Sequence, residues 1–243
     1  MLITENIKLA EIILQNYHLI PIISRFGIEF GFGDKTVEQV CIQYNINCKF
    51  FLEIVNAFND KEYMPFEKLK KMPLSLTVNY LLKSHHYYNK IILPNIEKLM
   101  EQLKWEGKDA EKNISVLRKF FSQYLKEVNE HTANEEKDIY PYVLELENHF
   151  NCEILDVSFI RKLEKKSIKD YADTHDELNS ALLDLKNIII KYLQPAKNRE
   201  ITEQILTEIF KLEADMKDHT KLEDNVVVPL AEMMENELKE RNK

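Results

Sequence analysis

Glycine is scarce in this chain of 243 residues, with four in all beside seven prolines. An all-β fold needs both residues at its many turns, so their shortage disfavours one and points to long helices. Positive charge is also in short supply: 33 Lys and Arg stand against 41 Asp and Glu, a formal net charge of -8. That balance provides no cationic face for a phosphate backbone, so nucleic acid is not an expected partner. The run KLKK at 68–71 reads as a solvated linker. No stretch approaches the roughly 20 apolar residues that a bilayer span requires. The start, MLITENIKLAEIIL, lacks the basic region and small-residue cleavage site of a secretory signal. The expected setting is the cytoplasm, away from membranes. Cys41, Cys48 and Cys152 form an odd set with no CxxC, which argues against a disulfide framework.

What is present is helical pattern. Residues 1–60 read as a small helical domain: TENIKLAEIILQNY opens with Thr4 as a candidate cap, TVEQVCIQY has Thr36 and Gln39 at capping-box spacing, and NCKFFLEIVNAF opens with Asn47 as another candidate cap. FGIEFGFGDK holds three of the four glycines and marks a turn. Residues 61–74, with Pro65 and Pro73, read as a linker. From there to 238 four long helices are expected, near 75–104, 110–148, 157–193 and 199–238. Their short connections make successive helices antiparallel, which gives an all-α, up-down-up-down four-helix bundle.

The stretch HTANEEKDIYP at 131–141 recurs as HTKLEDNVVVP at 219–229. On the second helix the apolar seam runs Leu117, Phe121, Tyr124, Val128, then His131 and Glu135, then Ile139 and Tyr142. On the fourth it runs Ile205, Ile209, Leu212, Met216, then His219 and Glu223, then Val226 and Leu230. Each is a core stripe interrupted by two polar groups one turn apart. The third helix carries His175 among apolar residues. On the first, Val78, Leu82, His86, Asn89 and Leu93 form a seam with His86 in it; the competing seam Leu81, His85, Tyr88, Ile92 is also apolar, and the spacing to the other half favours His86. His149 shares a seam but lies about 27 Å further along its helix at 1.5 Å per residue. Glu136 and Asp224 turn about 100° away from the candidate ligands, towards solvent or an outer partner role.

Burying an unpaired carboxylate costs several kcal/mol, so two glutamates and four histidines facing inward ask for cations. Imidazole nitrogens with carboxylate oxygens suit iron, manganese or zinc. Two glutamates can bridge two metals while each metal takes two histidines, leaving open positions for a small ligand. The ordinary alternative, a surface His-x3-Glu pair worth a few tenths of a kcal/mol, explains one copy but not two placed on core seams.

The inward histidines with H-x3-E-x5-P on alternate helices resemble the hemerythrin-like (HHE cation-binding) family, four-helix bundles around a non-haem di-iron centre. The layout, a short helical domain and then this bundle, resembles the iron–sulfur cluster repair (RIC) di-iron proteins. SHHYYNKIILP, HTANEEKDIYP, DTHDEL and HTKLEDNVVVP carry the likeness. It implies a pair of oxo- or hydroxo-bridged irons, with His86, His131, His175 and His219 as terminal ligands and Glu135 and Glu223 as bridges. It further implies a role in nitrosative or oxidative stress, with iron–sulfur proteins as partners. Gly31 and Phe32 stand where that family typically carries a Cys-Cys pair, so chemistry dependent on those thiols is not expected here. Two readings remain beside repair: a binder, sensor or reductase of dioxygen, nitric oxide or peroxide, and a metal-free helical interaction protein.

Overall fold

The computed structural model describes residues 2–152 and 175–241, with Phe159, Arg161, Leu163, Ser167 and Ile168 between them. Its regular elements are helices, and the described residues pair as strands only in an isolated bridge between Lys8 and Thr36. Four short helices come first: α1 (Leu9–Gln15), α2 (Leu19–Arg25), α3 (Val37–Gln43) and α4 (Cys48–Asn59). The capping box closes as its spacing predicts, Thr36 accepting from the Gln39 N–H and Gln39 from the Thr36 N–H. Asn47 likewise accepts from the Phe50 N–H at 3.0 Å. Thr4 does not cap α1, which begins at Leu9 behind Lys8. The Thr4 carbonyl instead accepts from Ile7 in a turn. Gly27, Gly31 and Gly33 take φ of +78°, +101° and +66°, a region where a side chain is strained, so the glycines are what lets this loop turn back. The expected linker contains a single short helix, α5 (Phe66–Leu69).

The long helices follow. α6 runs over Leu74–Tyr87, widens into a π turn at Tyr88–Ile92 and continues over Leu93–Glu101. α7 does the same over Ala110–Asn134, Glu135–Ile139 and Tyr140–Phe150. α8 is described from His175 to Asn187 and through a π turn at Ile188–Tyr192. α9 runs over Arg199–Leu222, Glu223–Val227 and Val228–Arg241. The start of the expected third helix and the His175 side chain lie outside the described residues.

Three of the four wide turns among the described residues lead into a proline. Pro94, Pro141 and Pro229 each stand two residues past a π segment. A proline cannot donate to the carbonyl four residues back, and its ring clashes with that carbonyl. Opening the preceding turn by one residue relieves the clash, the N–H of Tyr140 reaching Glu135 O and that of Val228 reaching Glu223 O. The lost hydrogen bond at Pro141 and Pro229 leads one to expect a bend or a stop; both helices carry on through it.

The core falls into two clusters. One joins α1 to α4 to the near half of the bundle, with Leu81, Ile139, Tyr140, Leu222 and Val226 among its members. The other fills the far half around Tyr88, Ile92, Val128, Leu178, Leu212 and Ile209. Along α6 the chain passes from the first cluster to the second, and along α7 and α9 it passes back, which gives the alternating directions expected of the bundle. Near the foot of the bundle buried Glu235 accepts from the Tyr142 hydroxyl at 2.8 Å, the Ile168 N–H at 2.8 Å and the Ser167 hydroxyl at 3.3 Å. Among the described residues no helix is long and apolar enough to cross a membrane.

Candidate metal centre

Between the two apolar clusters lies a polar layer. α7 supplies His131 and Glu135, α9 supplies His219 and Glu223, and α6 supplies His85. Glu135 and Glu223 each open a π turn, one helical turn past His131 and His219 on the same inward seam. Both glutamates are buried, at 3 % and 4 % exposure, as are His85 and His219.

Glu135 spans two imidazoles. Its Oε1 is 3.0 Å from His131 Nε2 and its Oε2 is 3.2 Å from His85 Nε2. His85 Nε2 is also 3.2 Å from His219 Nε2, and His219 Nε2 is 3.5 Å from Glu223 Oε1. Ligating atoms of His85, Glu135 and His219 all fall within 4.8 Å of one another. The other nitrogen of His85, Nδ1, lies 3.0 Å from Glu136 Oε1. A proton on Nδ1 directed at Glu136 leaves Nε2 with its lone pair facing a carboxylate and a second imidazole. Lone pairs at that separation repel unless a proton or a metal cation sits among them. A carboxylate behind an imidazole is also the usual way to orient a ligating histidine.

His219 Nδ1 is buried and has no hydrogen bond among the described residues. Two or three imidazoles with two carboxylates make a borderline donor set that suits divalent iron, manganese or zinc, so the residues present fit a metal. A cavity of about 20 Å³ adjoins the layer, lined by His85, Tyr88, His131, Thr132, Met216 and His219 among others. Its volume exceeds the ~10–15 Å³ that one water needs on this measure.

Tyr140 completes the layer from α7. Its hydroxyl donates to Glu223 Oε1 at 2.6 Å and lies 3.4 Å from His85 Nε2, and its ring stacks on His85 at 5.5 Å. Burial first, then the Glu223 and Glu135 carboxylates, push this phenol well above its ordinary value, so it stays a protonated donor. Tyr88 is equally buried, and its ring meets His219 edge to face at 5.7 Å.

A family model described as the hemerythrin HHE cation binding domain matches residues 77–231. The chain belongs to the hemerythrin HHE family. No curated protein gives a significant match to it. Within the hemerythrin domain, four of the residues expected from sequence, His131, Glu135, His219 and Glu223, come together as their seams predict. The first-helix expectation needs correction. His86 is exposed on the outside of α6, and the inward histidine is His85, which belongs to the seam of Leu81, Tyr88 and Ile92. His175 heads the described part of α8, its side chain outside the described residues. His149 stacks on Phe159 at 4.0 Å, away from the layer. Glu136, set aside as a ligand, takes the outer role behind His85. Tyr140 is the functional residue that sequence reasoning missed. The signal was Pro141: a π turn adds a residue before the proline, so Ile139 and Tyr140 both face inward, as Val226 and Val227 do before Pro229.

Proposed function

We propose that the chain holds a pair of non-haem irons among His85, His131, Glu135, His219 and Glu223, with His175 as the expected further ligand. In this reading it works in the cytoplasm on a small diatomic ligand, dioxygen or nitric oxide. The observation that carries the reading is the buried layer itself, where Glu135 spans two imidazoles beside a cavity of about 20 Å³. Bound iron would supply Lewis acidity and a one-electron redox couple. The chain's own groups do the rest. Glu136 orients His85, and Tyr140 fixes one oxygen of Glu223 by donating to it. Leu178 and Met216 wall the cavity with apolar atoms and limit water. Asn89 donates to the Thr132 hydroxyl at 2.9 Å, tying α6 to α7 beside the site.

A role in repair of iron centres under nitrosative or oxidative stress, with iron–sulfur proteins as partners, is the more specific version of this reading. It is supported by the layout, a set of short helices that shares a core with the bundle. The Gly31–Phe32 pair speaks against any version that needs adjacent thiols in that loop.

Anaerobic loading with ferrous iron, followed by metal analysis and visible absorption, tests the core of the reading. Uptake of about two irons per chain, with loss of uptake in the Glu135→Ala variant, is expected from a carboxylate shared between metals. Uptake far below one iron per chain would refute it. Titration with nitric oxide then separates a reversible adduct, which favours binding or sensing, from repeated turnover, which favours an enzyme.

A further inference from the structure

α2 ends at Arg25, whose side chain is buried in the contact between the short helices and the bundle. Its guanidinium meets Asp215 of α9 with both terminal nitrogens, Nη1 lying 2.9 Å from Oδ1 and Nη2 pairing with Oδ2. Nη1 also donates to the Tyr80 hydroxyl at 3.2 Å. The rings of Tyr87, Tyr88 and Tyr80 surround the guanidinium carbon, with centroids 4.7, 5.5 and 5.8 Å away. A buried ion pair adds little net stability over well-packed apolar residues. What this pair does contribute is fixed geometry, since a guanidinium fork holds a carboxylate in a single orientation.

That orientation reaches the polar layer. The Tyr88 hydroxyl donates to the same Asp215 Oδ1 at 3.1 Å, so the phenol cannot swing without breaking the bond. Tyr88 is fully buried, its ring packs edge-on against His219, and it lines the cavity. Asp215 lies one turn before His219 on the same face of α9. A continuous path therefore runs from Arg25 through Asp215 and Tyr88 to a candidate ligand.

We propose that Arg25 is a positioning residue for the metal centre: through Asp215 it fixes the Tyr88 ring that packs on His219 and walls the cavity, so the short N-terminal helices complete a site built in the bundle. This rests on the metal reading above for its functional meaning, but its geometry stands in the metal-free protein. The consequence is that the N-terminal helices tune the centre without contributing a ligand or a thiol.

The test uses the full chain with two variants. Arg25→Lys keeps the charge and loses the fork; Tyr88→Phe keeps the ring and loses the bond to Asp215. In the metal-free protein, nuclear magnetic resonance of labelled histidine should show the His219 ring signals displaced in both variants. In the iron-loaded protein, metal content should match wild type while the affinity for azide, a small anionic ligand for ferric iron, changes by at least about fivefold, the lower end of ordinary coupling between sites. Should Arg25→Lys fail to fold, Tyr88→Phe decides alone. His219 signals at their wild-type positions in Tyr88→Phe, with unchanged azide affinity, overturn the proposal even if the protein is less stable, because that pattern is a structural tie and nothing more. If wild type takes up no iron, the metal reading fails, while the His219 displacement still reports on positioning.

Discussion

Replacing Tyr140 by phenylalanine isolates one hydroxyl. The ring remains, with its stacking on His85 and its buried contacts, so no cavity beyond a single oxygen is opened. What is lost is a 2.6 Å hydrogen bond from a neutral phenol to a buried carboxylate. Bonds to charged partners contribute about 1.5–3 kcal/mol. The metal-free protein should therefore lose about 2 kcal/mol, which for a chain of this size lowers the melting temperature by roughly 4–8 °C. A cation bound at Glu223 takes over much of the compensation that the phenol provides, so the loss should shrink in the iron-loaded protein. Urea titration followed by circular dichroism, with and without iron, measures both numbers. A loss below about 0.5 kcal/mol without metal would refute the hydrogen-bond argument, since it would fall under the usual range for such a bond. An equal loss in both states would refute the placement of Glu223 among the ligands.

Further outcomes follow from the same structure. His85→Ala should sharply reduce iron uptake and His86→Ala should leave it at the wild-type level, as read by metal analysis; the reverse order would return the first-helix ligand to His86. Glu235→Ala should destabilise the protein by about 3 kcal/mol, as expected when a buried acceptor of three hydrogen bonds is removed, without altering the iron content. Glu213 offers a pH test. Burial raises its carboxyl, but the Lys186 and Lys217 ammonium groups outweigh this and hold it below the usual carboxylate range. A depressed folded-state value gives stability that is present above the unfolded value and lost as pH falls through the folded one. Glu213→Gln should thus melt below wild type at pH 7, and the gap should close as the solution is taken below the ordinary carboxylate range; a gap that persists or widens in acid would contradict the pairing with Lys186.

Much of the bundle was legible because its second and fourth helices repeat one pattern: an apolar seam at steps of three and four, broken by His131 and Glu135 or by His219 and Glu223. The cost of burying such groups made their shared depth readable. The first helix was not legible in the same way. A constant spacing between halves selected His86, but the inward histidine on α6 stands three residues before its π turn, whereas His131 and His219 stand four before theirs. Periodicity offers both histidines, and the demand for equal spacing between the halves chooses the outward one. A regular helical period hid Tyr140, which is brought inward by the extra residue. Arg25 was invisible for another reason: its partner Asp215 is distant in sequence, and only the packing of α2 against α6 and α9 brings them together.

The π turns also constrain how the chain can change in length. Each one takes up a single added residue that would rotate everything after it by about 100° in a regular helix. Deleting one residue within 135–139 would close α7 into a regular helix with Tyr142, Val143 and Leu146 still on their buried face, but with Pro141 set against the carbonyl four residues back; closing the turn with every residue kept would instead rotate them about 100° off that face. Replacing Pro141 would remove the clash that keeps the turn open, and with it the reason for the added residue. Length changes between Glu101 and Ala110, where α6 gives way to α7, carry no such penalty, because a loop absorbs a residue without rotating a core face. The count from histidine to proline is therefore tied to the wide turn and its proline together, and variation in length should collect between the helices unless the turn and Pro141 change as a pair.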